Sequence, residues 1–344
     1  MNVCLLLAHS IEESAQLQLL TELGHSVFSI GAYSNPAKPG DDKRPPLPDV
    51  PYFPDLDAAC HRKRIEHTAD PIPGVIDWAK SDLPQEVIDW ADIIICHHIE
   101  HTWLAGPNWP RIRDKRVIWR TVGQSVENNE RIMAPLRADG LQIVRYSPRE
   151  RNIPHFCGED ALIRFWVDPA EWYGWTGDQR HILNITQHLK SRDPFTNWRA
   201  WEQIARNMPR RALGPGSEEL DGPGTLPLDE MKQELRDARC YLYCGTQPAS
   251  YTLGLIEAMM TGVPVVSIGP EWHDVFPYGS QLFEGYELAG LDCPSVALQR
   301  RMLDALLKSP KLAADISREQ HKRALDLFGK AKVAAQWASF LGAP

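Results

Sequence analysis

The chain contains no CxxC pair, no regular cysteine spacing and an odd total of seven cysteines. Those lacks argue against a disulfide framework and a thiolate metal site, and they fit buried thiols in a reducing cytoplasm. No run approaches the roughly 20 apolar residues that span a bilayer, which leaves at most a peripheral membrane role. An excess of positive charge is missing too. The formal net charge of −8 excludes a uniformly basic nucleic-acid coat. Residues 3–8 are apolar but have neither a charged n-region nor a cleavage signal, so they read as a first strand rather than a signal peptide. No internal repeat is visible.

What the sequence does have is alternation. Its 344 residues, 43% hydrophobic, suffice for two domains of ordinary size. Short apolar runs at 3–8, 25–30, 92–96, 116–121 and 141–146 alternate with helical stretches, as do 181–186, 211–213, 240–244 and 265–268 in the second half. That order predicts an α/β chain of two Rossmann-like, doubly wound units with parallel sheets covered on both faces. The segment 154–170, with Trp166 and followed closely by Trp172 and Trp175, reads as the hinge. A proline-rich loop over residues 32–54 would leave the second strand at its carboxyl end, the edge where such folds bind ligands. It fits an acceptor-side loop or a disordered one.

Residues 246–269, TQPASYTLGLIEAMMTGVPVVSIG, carry the sharpest signal. A tight turn leads through small residues into a helix with Glu257 in its second turn, then Gly262, Pro264 and a buried strand. A helix entered this way leaves amide N–H groups unpaired at its positive end, which suits a phosphate. A carboxylate one or two turns further in reaches sugar hydroxyls. This block resembles the nucleotide-sugar site of retaining, sucrose-synthase-like GT-B glycosyltransferases, whose pattern is roughly P-S-x-x-E-G-F-G-L-x-x-L-E-A-M-A-x-G-x-P-V-V. Leu253, Glu257-Ala258-Met259, Gly262 and Pro264-Val265-Val266 match it. The bland alternative is an ordinary helix-to-strand crossover.

The resemblance implies GT-B architecture, two Rossmann-like domains facing a central cleft. It places an acceptor domain at 1–165, a nucleotide-sugar domain at 166–325 and a closing helix at 326–344 crossing back. LTELGHSVFSIG, IRFWVDPAEW and RALDLFGKAKVAAQWASFL fit those places. It implies donor contacts from Ser250, Tyr251, Thr252, Leu253, Gly254 and Glu257, with His9 after the first strand as a further donor contact or merely a neighbour of a Ser10 cap. Family members carry a first Glu eight positions before the second, and that position here is Ala249. The resemblance therefore implies nucleotide binding through Glu257 more than any particular sugar, with Gln247, Ser250 or Tyr251 as replacement contacts.

The resemblance also implies a basic pair just after the first strand of the second domain, which would meet the charge on the leaving diphosphate, and stabilising such developing charge is a large catalytic term. The matching segment is 184–193, with Gln187 at the usual Arg position, Arg192 at the usual Lys position and Lys190 between them. A solvated loop is the alternative. In the first domain, Gln124 stands near the place of a family histidine, and His98 in the run Cys96-His97-His98-Ile99-Glu100-His101 is an acceptor-contact candidate. A zinc site from His97 and His101 fits no familiar spacing, and the family works without a bound metal. Asp55-Leu56-Asp57 reads as solvated loop rather than a manganese–diphosphate motif.

The implied activity moves a sugar from a nucleotide-diphosphate sugar, such as a UDP- or GDP-sugar, to a glycan or small-molecule hydroxyl, with retention and without a cofactor. Phrases such as GAYSNPAKPGDDKRPPLP are also similar to bacteriophage-encoded glycosyltransferases, some of which modify hydroxymethylated DNA bases. Residues 111–151 hold ten Lys/Arg against five Asp/Glu; they read first as solvated surface charge, and with Lys43-Arg44 and Arg62-Lys63-Arg64 they would alternatively suit a phosphate backbone, against which the net charge of −8 weighs. A non-catalytic nucleotide-sugar-binding module is the remaining alternative.

Overall fold

A computed structural model of the protein describes residues 1–6, 10–30, 47, 49–66, 82–97, 104–123 and 126–342. The chain divides into two compact units. One comprises Met1–Tyr146, Pro154–Ile163 and Ala334–Pro344, and the other Ser147–Ile153 and Arg164–Val333.

The first unit is built on β1 (Asn2–Leu6), α1 (Ser10–Glu22), β2 (Ser26–Ser29), α2 (Pro54–Glu66), α3 (Gln85–Trp90), β3 (Ile93–His97), α4 (Trp109–Ile112), β4 (Arg116–Arg120), α5 (Glu127–Ala138), β5 (Gln142–Arg145) and the short β6 (Ala161–Leu162). Its six strands are all parallel, in the order β2-β1-β3-β4-β5-β6. Parallel strands are buried on both faces, so they need runs such as Ile93-Ile94-Ile95-Cys96, every residue of which is buried. Arg145 sits fully buried in a bidentate pair with Glu130, at 2.6 and 2.7 Å, between the rings of Trp119 and Phe156. Losing one partner of such a pair costs about 3–5 kcal/mol, because the other charge is left uncompensated.

One expectation changes here, and a second gains detail. Asp55-Leu56-Asp57 lies in the first turn of α2, with Leu56 in the core, not in a loop. Two carboxylates beside a helix start are favoured by the helix dipole. Several side chains of the basic stretch 111–151 are paired within the fold. Arg116 opens β4, so Arg111, Arg113, Lys115 and Arg116 lie at the amino end of the parallel sheet, opposite its ligand edge. Arg111 donates to Gln85, Arg113 pairs with Asp139, Arg131 with Glu127, Arg137 with Asp160 and Arg149 with Glu287. Lys43 and Arg44 lie outside the described residues, as does most of the expected loop at 32–54.

The second unit runs β7 (Gln179–Ile185), α6 (Trp198–Ala205), β8 (Arg210–Leu213), α7 (Leu228–Asp237), β9 (Ala238–Tyr243), α8 (Leu253–Thr261), β10 (Val265–Ser267), α9 (Gly279–Leu282), α10 (Gly285–Ala289), α11 (Val296–Lys308), α12 (Pro310–Phe328) and α13 (Lys330–Leu341), the last of these divided between the two units. Its sheet is parallel, in the order β10-β9-β7-β8. The winding direction reverses between β7 and β9. In open α/β sheets the crevice outside the carboxyl ends of two such strands is where ligands bind. Among the described residues no helix is long and apolar enough to cross a membrane, and none of the seven cysteines forms a disulfide.

Candidate functional site

Two loops meet at the reversal point of the second sheet, 186–197 after β7 and 244–252 after β9. α8 starts from the second. Its residues from Leu255 to Thr261 are all buried, and Gly262 ends it in the left-handed region at φ 98°. The Gly262 and Val263 N–H groups close back on Ala258 O, the usual way to finish a helix before a buried strand.

The amino end of α8 is open. Thr252, Leu253 and Gly254 are half-buried, and Thr252 makes no side-chain cap. Its own N–H donates to Tyr243 Oη at 3.0 Å. A β-carbon on Gly254 would lie 3.5 Å from Tyr241 Oη and 3.7 Å from Ile185 O, so the helix start rests directly against the end of β7. Tyr241 fastens that junction. It donates to Ile185 O at 3.2 Å and accepts from Ile185 N at 3.1 Å. Burial pushes its phenol well above the usual range, with the Glu257 charge a smaller contribution in the same direction. Glu257 is 8% exposed, one of the few charged side chains held inside this unit.

Lys190 and Arg192 stand exposed on the 186–197 loop. The loop is bonded to itself and to its neighbours. Arg192 N donates to His188 O at 3.0 Å, Thr196 Oγ1 to Leu189 O at 2.6 Å and His188 N to Pro215 O at 2.6 Å. Gly216 permits that last approach. A β-carbon there would fall 2.8 Å from His188 Nδ1, and its φ of 81° is one that glycine adopts at low cost.

A buried polar hub locks the two loops together. Gln247 Nε2 donates to Asn197 Oδ1 at 2.8 Å and to the carbonyls of Trp272 at 3.1 Å and Pro194 at 3.3 Å, while its Oε1 accepts from Val275 N at 2.9 Å. Asn197 Nδ2 in turn donates to Cys244 O at 2.8 Å and faces His273 Nε2 at 3.3 Å. Burial pushes the His273 imidazole down to about 3, against a weaker upward pull from a hydrogen bond with the Cys244 backbone, and the ring stacks on Phe283. A neutral ring accepts from Asn197.

The structure therefore brings Glu257, Thr252, Leu253, Gly254, Lys190 and Arg192 to one edge, and treats three other expected residues differently. Gln247 is engaged in the hub. Ser250 and Tyr251 are buried in the interior, where the Ser250 carbonyl accepts from Glu284 and Gly285 and the Tyr251 ring packs on Phe165 and Phe328 under the Arg164 guanidinium. His9, His98 and Gln124 lie outside the described residues. His97 ends β3 and is buried. Sequence reasoning missed Asn197, Tyr241 and His273, which act through distant contacts that no local pattern announces.

No protein-family model matches the sequence, and no curated protein matches it. Solved structures do. Alr3699/HepE from Anabaena, determined with UDP and glucose, aligns over 99% of this chain and 98% of its own, with a TM-score of 0.63 at 10% identity. An alpha-glucosyltransferase solved with UDP and a 13-mer DNA containing an HMU base aligns over 99% of each chain, with a TM-score of 0.56 at 11% identity. TarM aligns over 73% of this chain and 54% of its own, with a TM-score of 0.54 at 12% identity, so the match takes in about half of that protein. With two all-parallel, doubly wound units in one chain and neighbours matched along their whole length, the protein has the GT-B fold of glycosyltransferases.

Proposed function

We infer that the protein is a glycosyltransferase that takes a sugar from a nucleotide-diphosphate sugar and passes it to a hydroxyl acceptor. One juxtaposition carries this reading: the half-buried start of α8 with the buried Glu257 carboxylate, and the loop bearing the exposed Lys190 and Arg192, follow the carboxyl ends of β9 and β7 at the reversal point of the sheet. The helix end offers unpaired N–H groups and a positive dipole to the diphosphate. Glu257 accepts from the ribose hydroxyls. Arg192, with Lys190, stabilises the charge that grows on the diphosphate as the bond from sugar C1 to phosphate oxygen breaks. The departing phosphate takes the acceptor proton, and the new bond forms with retention. Holding donor and acceptor in place supplies much of the rest of the rate. Similarity to proteins solved with UDP supports the reading.

The first unit is the acceptor side, and the acceptor is a glycan or small molecule in the cytoplasm. A hydroxymethylated base in DNA is the second reading, favoured by the full-length similarity to the alpha-glucosyltransferase solved on DNA. Incubation with UDP- and GDP-sugars, followed by mass analysis of donor hydrolysis and of glycan and hydroxymethyl-DNA products, tests both. A mass shift on an acceptor establishes transfer. Nucleotide binding without hydrolysis or transfer establishes a binding module instead.

A further inference from the structure

Phe195 stands out at the site by its exposure. Among the described residues four large hydrophobic side chains are exposed, Tyr52, Tyr173, Phe195 and Leu325, and Phe195, at 42%, is the one on the β7 loop. Its backbone is held at both ends. Phe195 N donates to Arg192 O at 2.9 Å, and Phe195 O accepts from Gln247 N at 2.7 Å. The flanking Thr196 and Asn197 are buried. The ring is thus an apolar surface on a fixed frame, three residues beyond Arg192 and in direct backbone contact with the β9 loop.

That neighbouring loop offers little polar chemistry. Gln247 is engaged in the hub, Ala249 has no polar group, and the Ser250 and Tyr251 side chains are buried. Thr246 and Pro248 remain half-buried, next to the exposed Pro194 and Phe195. Phe195 lies within reach of a sugar whose diphosphate is held by Arg192 and the α8 start, since three residues span at most about 11 Å. Pyranose and furanose rings carry C–H groups that lie well against an aromatic face, and aromatic contacts of this kind are worth a modest, directional amount.

We propose that Phe195 is a specificity-determining residue of the donor site, binding the transferred sugar through its C–H face. The assignment rests on the glycosyltransferase reading above. It differs from recognition by a carboxylate in that it discriminates nucleotide sugar from bare nucleotide without hydrogen-bonding any one hydroxyl.

The test is calorimetric titration of the full chain with UDP, GDP, UDP-glucose and GDP-mannose, using the nucleotide that binds. Phe195→Ala should weaken the nucleotide sugar about 2- to 12-fold, the span of aromatic contacts, while the matching diphosphate changes less than about twofold. Phe195→Tyr keeps the ring and should stay near the parent. Equal losses for sugar and diphosphate, or no loss for either, overturn the proposal and leave the donor site standing. A loss seen only in the KM for acceptor assigns the ring to the acceptor and overturns it too. Failure of every nucleotide to bind the parent protein removes both the proposal and the reading beneath it.

Discussion

Gln247 donates to Asn197 over 2.8 Å inside the second unit, tying the loop after β9 to the loop after β7. Truncating Gln247 leaves the buried Asn197 Oδ1 and the partly buried Val275 N–H and Trp272 carbonyl short of partners, while the Pro194 carbonyl keeps the Asn197 N–H. Each unsatisfied buried group costs about 1–3 kcal/mol. Gln247→Ala should therefore lower the melting temperature and weaken nucleotide binding together, because the two loops lose their common anchor. Thermal unfolding with and without UDP checks this, and an unchanged melting temperature contradicts it.

The same hub gives a pH dependence. His273 is neutral in the fold, pushed down to about 3, against an ordinary value of 6.5. Between these values the unfolded chain takes up a proton that the folded chain refuses, so stability falls as pH drops from 6.5 towards 3. Above 6.5 the contribution is fully present. The slope is about 1.4 kcal/mol per pH unit for one such group. Urea unfolding midpoints at several pH values should show this slope in the parent and a shallower one in His273→Gln.

Arg192→Ala should reduce turnover more than it reduces donor affinity, since the diphosphate charge grows towards the transition state. Loss of one donor to a developing anion costs on the order of 100-fold in kcat, and Lys190→Ala should cost less. Steady-state kinetics on both variants decide it. Wild-type turnover in both means that the leaving group is stabilised elsewhere.

Much of this was legible in the sequence. Parallel, two-face-buried strands write themselves as short apolar runs, and Gly262-Val263-Pro264 marks the end of one helix and the approach of a strand. The helix carrying Glu257 and its Gly262 end were readable because they lie in one contiguous block. Ser250 and Tyr251 were read as donor contacts from that same block, yet their side chains turn inward. Side-chain direction at a helix entry depends on the turn before it, which spacing does not encode. Asn197, Tyr241 and His273 were invisible because each matters through partners 47 or more residues away.

Within the basic stretch, Arg116 has a structural partner that its sequence position does not announce. Arg116 donates to the carbonyls of Leu341 and Phe340 at 2.8 and 2.7 Å, and its guanidinium lies 4.9 Å from the Phe340 ring, so it caps the end of α13. Arg116→Ala should destabilise by about 1.5–3 kcal/mol, the range of a lost charge-assisted bond, with little effect on donor binding. Arg113→Glu should leave any duplex affinity and its salt slope unchanged. A fall in the slope by about one unit would instead make it a phosphate contact.

The account turns on Glu257 and the start of α8. Titration of UDP and GDP into the parent protein and Glu257→Ala measures it most directly. The account predicts that the nucleotide that binds the parent loses about 1.5–3 kcal/mol of affinity in the variant, the range for hydrogen bonds to a charged group, with thermal unfolding otherwise close to the parent. Equal affinity in parent and variant, with the fold intact, contradicts the assignment of this edge as the nucleotide site.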